Sequence, residues 1–72
     1  MKTNVSIKFN SIEEYREIEK KLIEMGYKKG HYICNAEDYS FVYMHKNKDF
    51  HIYNFILDEK LYNSLEEFLN DN

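Results

Sequence analysis

Two of the three histidines in this 72-residue chain lie on either side of a predicted hairpin turn, where imidazoles could bind a metal ion. A two- or four-residue turn pairs position 45 with position 50, so His45 and His51 would point to opposite faces. A five-residue loop would instead pair the two histidines. Even then, two ligands fall short of the usual three or four, and His31 is remote in sequence. We therefore predict no metal site and no cofactor.

The residue types used in nucleophilic catalysis are present, but none occurs in a motif with mechanical meaning. Cys34 is the only cysteine, and it precedes Asn35 in a predicted turn. A reactive thiol needs its pKa lowered by a helix N-terminus or a nearby base, and only His31 lies close in sequence. We predict no catalytic residue and no enzyme activity, since a chain this short leaves little room for a pocket except between subunits.

Four lysines in predicted loops form a candidate anion-binding set: Lys28, Lys29, Lys46 and Lys48. They would make a positive patch for phosphate or an acidic protein if the hairpin tip meets the segment after the first helix. A solvated rim of lysines is the interpretation that we favour. The net charge of −3 argues against general nucleic-acid binding, which usually shows a basic surface.

The predicted hairpin is apolar on both faces, which is unusual for a sheet covered by helices on one side only. With position 45 opposite position 50, the face that we assign to the core carries Tyr39, Phe41, Tyr43, His45, Phe50, Ile52, Asn54 and Ile56. The opposite face carries Val42, Met44, His51, Tyr53 and Phe55, which we predict to be an interface. Two alternatives remain: residues 31–34 or a terminus cover this face, or the two faces are exchanged.

The first third of the chain predicts a strand followed by a helix. Apolar and polar residues alternate from Asn4 to Phe9, as in a half-buried strand. Ser11 and Glu14 fit a capping box at the start of a helix, and Gly26 is suited to end it. The apolar stripe of this helix is Ile12, Tyr15, Ile18, Leu22 and Met25.

The rest of the chain predicts further strands and a second helix. We expect a short strand at His31 to Cys34, a turn at Asn35 to Asp38, and hairpin strands at Tyr39 to His45 and Phe50 to Ile56. The last helix is expected to begin at about Asp58. In a competing interpretation it begins at Ser64, where Ser64 and Glu67 form a second capping box and Lys60 to Tyr62 are extended.

These elements predict one α+β domain over residues 1–72, in the order β-α-(β)-β-β-α. We expect an antiparallel sheet of three to four strands with both helices on one face. A single cysteine allows no internal disulfide, which favours a reducing compartment. Because neither a signal peptide nor an apolar membrane span is evident, we predict a cytoplasmic protein.

We expect a non-catalytic protein–protein interaction module that forms a homo-oligomer, with a dimer favoured. Small size and a composition rich in residues with AT-rich codons resemble those of accessory proteins of phages and mobile elements. Some of these inhibit a host nuclease or defence component by occluding its surface. One alternative is a homo-oligomer that binds a small ligand or nucleotide in a junction pocket lined by His51, Tyr53 and the lysines. A weak nucleic-acid binder is the other.

Overall fold

The strands of this protein form one mixed sheet in a computed structural model that describes residues 2–30, 40–54 and 60–71. Within these residues there are five strands and two helices, and the domain is α+β as predicted. In chain order the elements are β1 (Val5–Lys8), α1 (Ile12–Glu24), β2 (Lys28–Lys29), β3 (Phe41–Met44), β4 (Asp49–Tyr53), β5 (Lys60–Tyr62) and α2 (Leu65–Asn70).

The sheet is antiparallel at its centre and parallel at both edges. The strand order is β2-β4-β3-β1-β5, in which β3 pairs antiparallel with β1 and β4. The edge strands β2 and β5 run parallel to their neighbours, so the prediction of an antiparallel sheet of three to four strands is wrong. Strands of two and three residues are too short to show an alternating pattern, so local sequence patterns do not indicate this pairing. The predicted strand at His31 to Cys34 lies outside the described residues.

One face of the sheet packs against both helices, as predicted, and forms the core. The sheet contributes apolar side chains from β1, β3, β4 and β5, and the helices contribute residues from the buried stripe of α1 and from α2. The main members are Val5, Ile7, Val42, Met44, Phe50, Ile52, Tyr62, Tyr15, Ile18, Leu22 and Phe68. The predicted stripe of α1 is confirmed except at its end, because Met25 is 39% exposed.

Both ends of α1 use the predicted caps. The Ser11 hydroxyl accepts a hydrogen bond from the backbone N–H of Glu14, and the Glu14 carboxylate accepts one from the N–H of Asn10. At the other end, Gly26 has a φ of 102° and donates to the carbonyl of Ile23. The next N–H, that of Tyr27, donates to the carbonyl of Leu22, which completes a Schellman motif.

The second helix begins later than we expected. Ser64 is its N-cap, so the expected start at Asp58 is wrong and the competing interpretation is correct. The Ser64 hydroxyl accepts from the N–H of Glu67, and the Glu67 carboxylate accepts from the N–H of Asn63. This repeats the cap of α1 and leaves Lys60–Tyr62 extended beside β1. A capping box satisfies two backbone donors, whereas a lone aspartate satisfies one.

The hairpin has a register one residue away from the predicted one. Met44 pairs with Phe50, and the turn contains three residues rather than two or four. The N–H of Lys48 donates to the carbonyl of His45, and Lys48 itself has a φ of 72°. A three-residue turn of this kind ends with one residue in the left-handed conformation. Lys48, and not the neighbouring Asn47, therefore supplies the positive φ of this turn.

The shifted register exchanges the two faces of β3. Val42 and Met44, which we predicted at the interface, are fully buried in the core. Phe41, Tyr43 and His45, which we assigned to the core, lie on the opposite face. A slip of one residue inverts a strand relative to its partner, and an aromatic strand tolerates either orientation.

The assignment is correct for most of β4. Phe50 and Ile52 are in the core, whereas His51 and Tyr53 are on the other face, as predicted. Asn54, which we expected on the core face, is exposed. Tyr39, Phe55 and Ile56 lie outside the described residues.

Candidate functional site

The side of the hairpin that points away from the helices carries a group of interacting aromatic and polar side chains. We call it the hairpin outer face, and its residues are Phe41, Tyr43, His45, Asp49, His51 and Tyr53. Tyr43 is buried, with 7% of its surface exposed, and the other five are half-buried. Side chains on this face are thus packed together without belonging to the hydrophobic core.

The rings on the outer face contact one another mainly edge to face. The ring centroids of His45 and His51 are 4.9 Å apart at an interplanar angle of 87°. Tyr43 meets His45 at 4.8 Å and Tyr53 at 6.2 Å, again with nearly perpendicular rings. This geometry is favourable for aromatic rings because the positive edge of one faces the negative face of the other. The register therefore brings together two histidines that we expected on opposite faces.

Asp49 completes a cluster at the turn end of this face. One potential ligand atom each from His45, Asp49 and His51 lies within 4.8 Å of the other two. The Asp49 Oδ2 atom is 3.6 Å from Nε2 of His51, and both side chains are 28% exposed. Nε2 of His45 is 3.1 Å from the Tyr53 hydroxyl oxygen. Two imidazoles and a carboxylate are a donor set that suits a divalent transition-metal ion.

The turn holds Asp49 in place through Asn47. The Asn47 amide Nδ2 donates to Oδ2 of Asp49 at 3.3 Å, and the Asp49 N–H approaches the Asn47 Oδ1 at 3.5 Å. The other carboxylate oxygen, Oδ1, is buried and has no hydrogen-bond partner among the described residues. Buried polar atoms are nearly always paired, so this oxygen marks a site where a donor or cation is expected.

Burial and neighbouring charges shift two pKa values on this face. Burial lowers the pKa of His45, the nearby His51 lowers it further, and Asp49 opposes both. The imidazole of His45 is therefore favoured in its neutral form, which has a lone pair for a ligand. Burial also raises the pKa of the Tyr53 hydroxyl, and Asp49 adds to this effect, so the hydroxyl keeps its proton.

The neighbouring edge strand makes room for His51 at a glycine. A Cβ atom built on Gly30 would lie 2.6 Å from Nδ1 of His51 and closer still to two other ring atoms. The N–H of Gly30 donates to the carbonyl of Phe50, which fixes this segment beside β4. Glycine suits this position because the imidazole packs directly against its backbone, and a larger residue would displace the ring. Sequence reasoning gave Gly30 no role, since the parallel pairing of β2 with β4 brings it beside His51 and has no local sequence signal.

The structure places the four candidate anion-binding lysines in two groups. The Lys28 N–H donates to the carbonyl of Lys48, so the segment after α1 does meet the hairpin tip. Lys46 lines a surface cavity of about 260 Å³ together with the cluster and Asn47. Lys29, however, forms a 2.9 Å ion pair with Glu19 of α1 on the helix side of the sheet. Cys34 and His31 lie outside the described residues.

Comparisons with protein-family models, with curated proteins and with solved structures found no match to this chain. Among the described residues, neither helix is both long and apolar enough to cross a membrane. The class that the fold defines is a small α+β domain with a mixed sheet. Its candidate functional site is the hairpin outer face, because this face combines ring contacts with the imidazole–carboxylate cluster.

Proposed function

We propose that this chain is a non-catalytic protein-interaction module, and that its hairpin outer face binds a second copy of the chain. The observation that supports this most is the set of contacting rings at Tyr43, His45, His51 and Tyr53. Tyrosine and other aromatic residues are enriched in protein interfaces, where they combine apolar area with hydrogen bonding. The core lies on the opposite side of the sheet and does not use these rings.

Other surfaces of the domain are less suited to binding a protein. The exposed side of α1 mixes both signs of charge along its length, which favours a solvated surface. Edge strands can add a strand from another chain, but β2 and β5 are short and each carries lysine. Short, lysine-bearing edges discourage such pairing. The face of the sheet is therefore favoured over its edges.

The size of the domain supports self-association. A chain of 72 residues with one cysteine has no disulfide of its own to supplement a small core. A stable interface takes roughly 800 Å² from each partner. That is about a sixth of the 4743 Å² surface of this chain, so a partner must cover most of one face. Substitutions on the outer face should therefore weaken the dimer.

We extend the proposal to a role in which the protein occludes a surface of another protein, as an inhibitor encoded by a phage or mobile element would. Only size and composition support this part. A junction site for a small ligand receives less support, because the cavity beside His51 is smaller than the roughly 300–1,000 Å³ of typical ligand pockets. Weak nucleic-acid binding would reveal itself by a steep loss of affinity with salt.

Sedimentation equilibrium tests the dimer. We expect the unsubstituted chain to approach twice its mass of 8.8 kDa as its concentration rises. Tyr53→Glu, which places a charge on the outer face, should give a folded monomer. Ile23→Glu is the matched control, since Ile23 is 52% exposed on α1, and it should leave the dimer unchanged. A chain that stays monomeric at every concentration, or a folded Tyr53→Glu variant that still dimerises, would contradict the proposal.

A further inference from the structure

The cluster at the turn end of the outer face nearly has the spacing of a metal site. Zinc bonds of about 2.0–2.2 Å in a tetrahedron separate the ligand atoms by roughly 3.3 Å. His51 Nε2 and Asp49 Oδ2 are already 3.6 Å apart, and the ligand atom of His45 is within 4.8 Å of both others. Small side-chain rotations close the remaining distance, because all three residues are only half-buried.

The unpaired oxygen of Asp49 is independent support for a bound cation. Its Oδ1 atom is buried with no hydrogen-bond partner among the described residues, while Oδ2 accepts from Asn47. Removing a carboxylate oxygen from water without a partner costs free energy. A metal ion that the Asp49 carboxylate binds through both of its oxygens, beside His45 and His51, would compensate this cost. The carboxylate is thus oriented by the turn before any ion binds.

Two further contacts hold the imidazoles in position. The Tyr53 hydroxyl lies 3.1 Å from Nε2 of His45, which is the kind of outer contact that orients a ligating ring. The missing side chain of Gly30 allows the His51 ring to pack against the backbone just after β2. The sheet therefore fixes two of the three side chains from their surroundings.

We propose that His45, Asp49 and His51 form a binding site for a divalent first-row transition-metal ion, with Zn²⁺ as the reference ion. Imidazole nitrogen favours this class over Mg²⁺ and Ca²⁺, which prefer all-oxygen sites. Three protein ligands leave one tetrahedral position open to water or to a ligand from another molecule. The site goes beyond the proposed function, because the isolated chain binds the ion whether or not it dimerises.

Isothermal titration calorimetry of the full chain with Zn²⁺ tests the proposal. A Cys34→Ser background is used, since a thiolate binds zinc by itself. We expect one Zn²⁺ per chain. His45→Gln, Asp49→Asn and His51→Gln should each weaken binding by at least roughly 100-fold, more than the loss of an outer contact causes. Gly30→Ala should weaken it by about 10- to 100-fold because it displaces the His51 ring.

Asp71→Asn is the matched control for Asp49→Asn. The Asp71 carboxylate is paired with Lys60 and Tyr62, away from the hairpin, so the substitution should leave Zn²⁺ affinity unchanged. Circular dichroism without metal shows whether each variant is folded. If a variant does not fold, the site is tested instead by NMR of the Cys34→Ser chain. Addition of Zn²⁺ should shift the imidazole signals of His45 and His51. Unchanged affinity in the folded ligand variants, shifts located elsewhere, or no binding below roughly millimolar Zn²⁺ would overturn the site.

Discussion

The two sides of the β3–β4 hairpin both carry large apolar or aromatic side chains but use them differently. On the helix side, Val42 and Met44 pack with Phe50 and Ile52, and each of these four residues is 5% exposed or less. On the outer face, tyrosines and histidines contact one another and share hydrogen bonds. The difference lies in the polar ends of the side chains. Aliphatic residues and Phe50 have no polar atom to satisfy, whereas Tyr and His can be half-buried if a partner is present.

The conformation of a single turn residue determines which face of each hairpin strand points into the core. Lys48 adopts the left-handed conformation and makes the turn three residues long, which pairs Met44 with Phe50. With a turn shorter or longer by one residue, Val42 and Met44 would leave the core. Which face of a hairpin strand is buried therefore depends on the turn as much as on the strands.

The largest expected effect is a loss of stability, and it is measured by replacing one phenylalanine on each side of the hairpin. Phe50→Ala deletes a fully buried ring and should lower the free energy of unfolding by about 3–5 kcal/mol. Phe41→Ala on the outer face should cost less than half as much, since Phe41 is only half-buried. Urea denaturation of both variants gives the comparison. Equal losses would mean that the outer face is a second core.

The next effect tests the packing of His51 against Gly30. Gly30→Ala should lower the free energy of unfolding by about 1 kcal/mol, the low end of overpacking, because the imidazole can rotate away from the new methyl group. A double-mutant cycle with His51→Ala isolates the contact. In the His51→Ala background, Gly30→Ala should leave the free energy of unfolding almost unchanged. If Gly30→Ala still lowers the free energy of unfolding in that background, the loss comes from the backbone at position 30 and not from contact with the His51 ring.

A smaller effect, a gain, is expected at the turn. Lys48→Gly relieves a left-handed conformation that is unfavourable for a residue with a side chain, and it should raise the free energy of unfolding by about 0.5–1 kcal/mol. Lys46→Gly is the control, because Lys46 has no positive φ. It should be neutral or slightly destabilising, since glycine adds freedom to the unfolded chain. If both substitutions raise the free energy of unfolding, the left-handed conformation of Lys48 does not explain the register of the hairpin.

Local sequence signals predicted the parts of the fold that depend on neighbouring residues. The Ser11–Glu14 cap, the stop at Gly26 and the buried face of β1 follow from short-range patterns, and the structure confirms them. The cap at Ser64 had the same pattern, but we gave more weight to the apolar spacing after Asp58. The lesson is that a complete capping box outweighs an extra turn of amphipathic periodicity.

The features that were missed depend on how the strands pair. Nothing in the dipeptide Lys28–Lys29 indicates a parallel edge strand, because its partner β4 lies some twenty residues later. The cluster of His45, Asp49 and His51 was missed because these residues share a face only when the turn has an odd number of residues. One clue was available: Val42 and Met44 have no polar group, whereas their neighbours Tyr43 and His45 do. That contrast favoured the first pair for the core.

The smallest expected effect distinguishes Lys29 from Lys28, because the side chains of these adjacent residues of β2 lie on opposite faces of the sheet. Burial alone would raise the pKa of Glu19, but the hydrogen bonds from Lys29 and Tyr15 outweigh it and lower this pKa below its usual 4.5. A lowered folded-state pKa stabilises the protein above the unfolded pKa, and this contribution is lost as the pH falls through the folded value. Lys29→Gln should therefore cost about 0.2–1 kcal/mol at neutral pH, as exposed ion pairs do.

The pH dependence shows whether that loss comes from the ion pair. The difference in unfolding free energy between the unsubstituted chain and Lys29→Gln should shrink as the pH falls below 4.5, where Glu19 becomes protonated. Lys28→Gln is the control on the outer side of the same strand, and its small effect should not follow the titration of Glu19. Urea denaturation at several pH values measures both. A pH-independent cost for Lys29→Gln would assign the loss to the packing of its aliphatic stem and not to its charge.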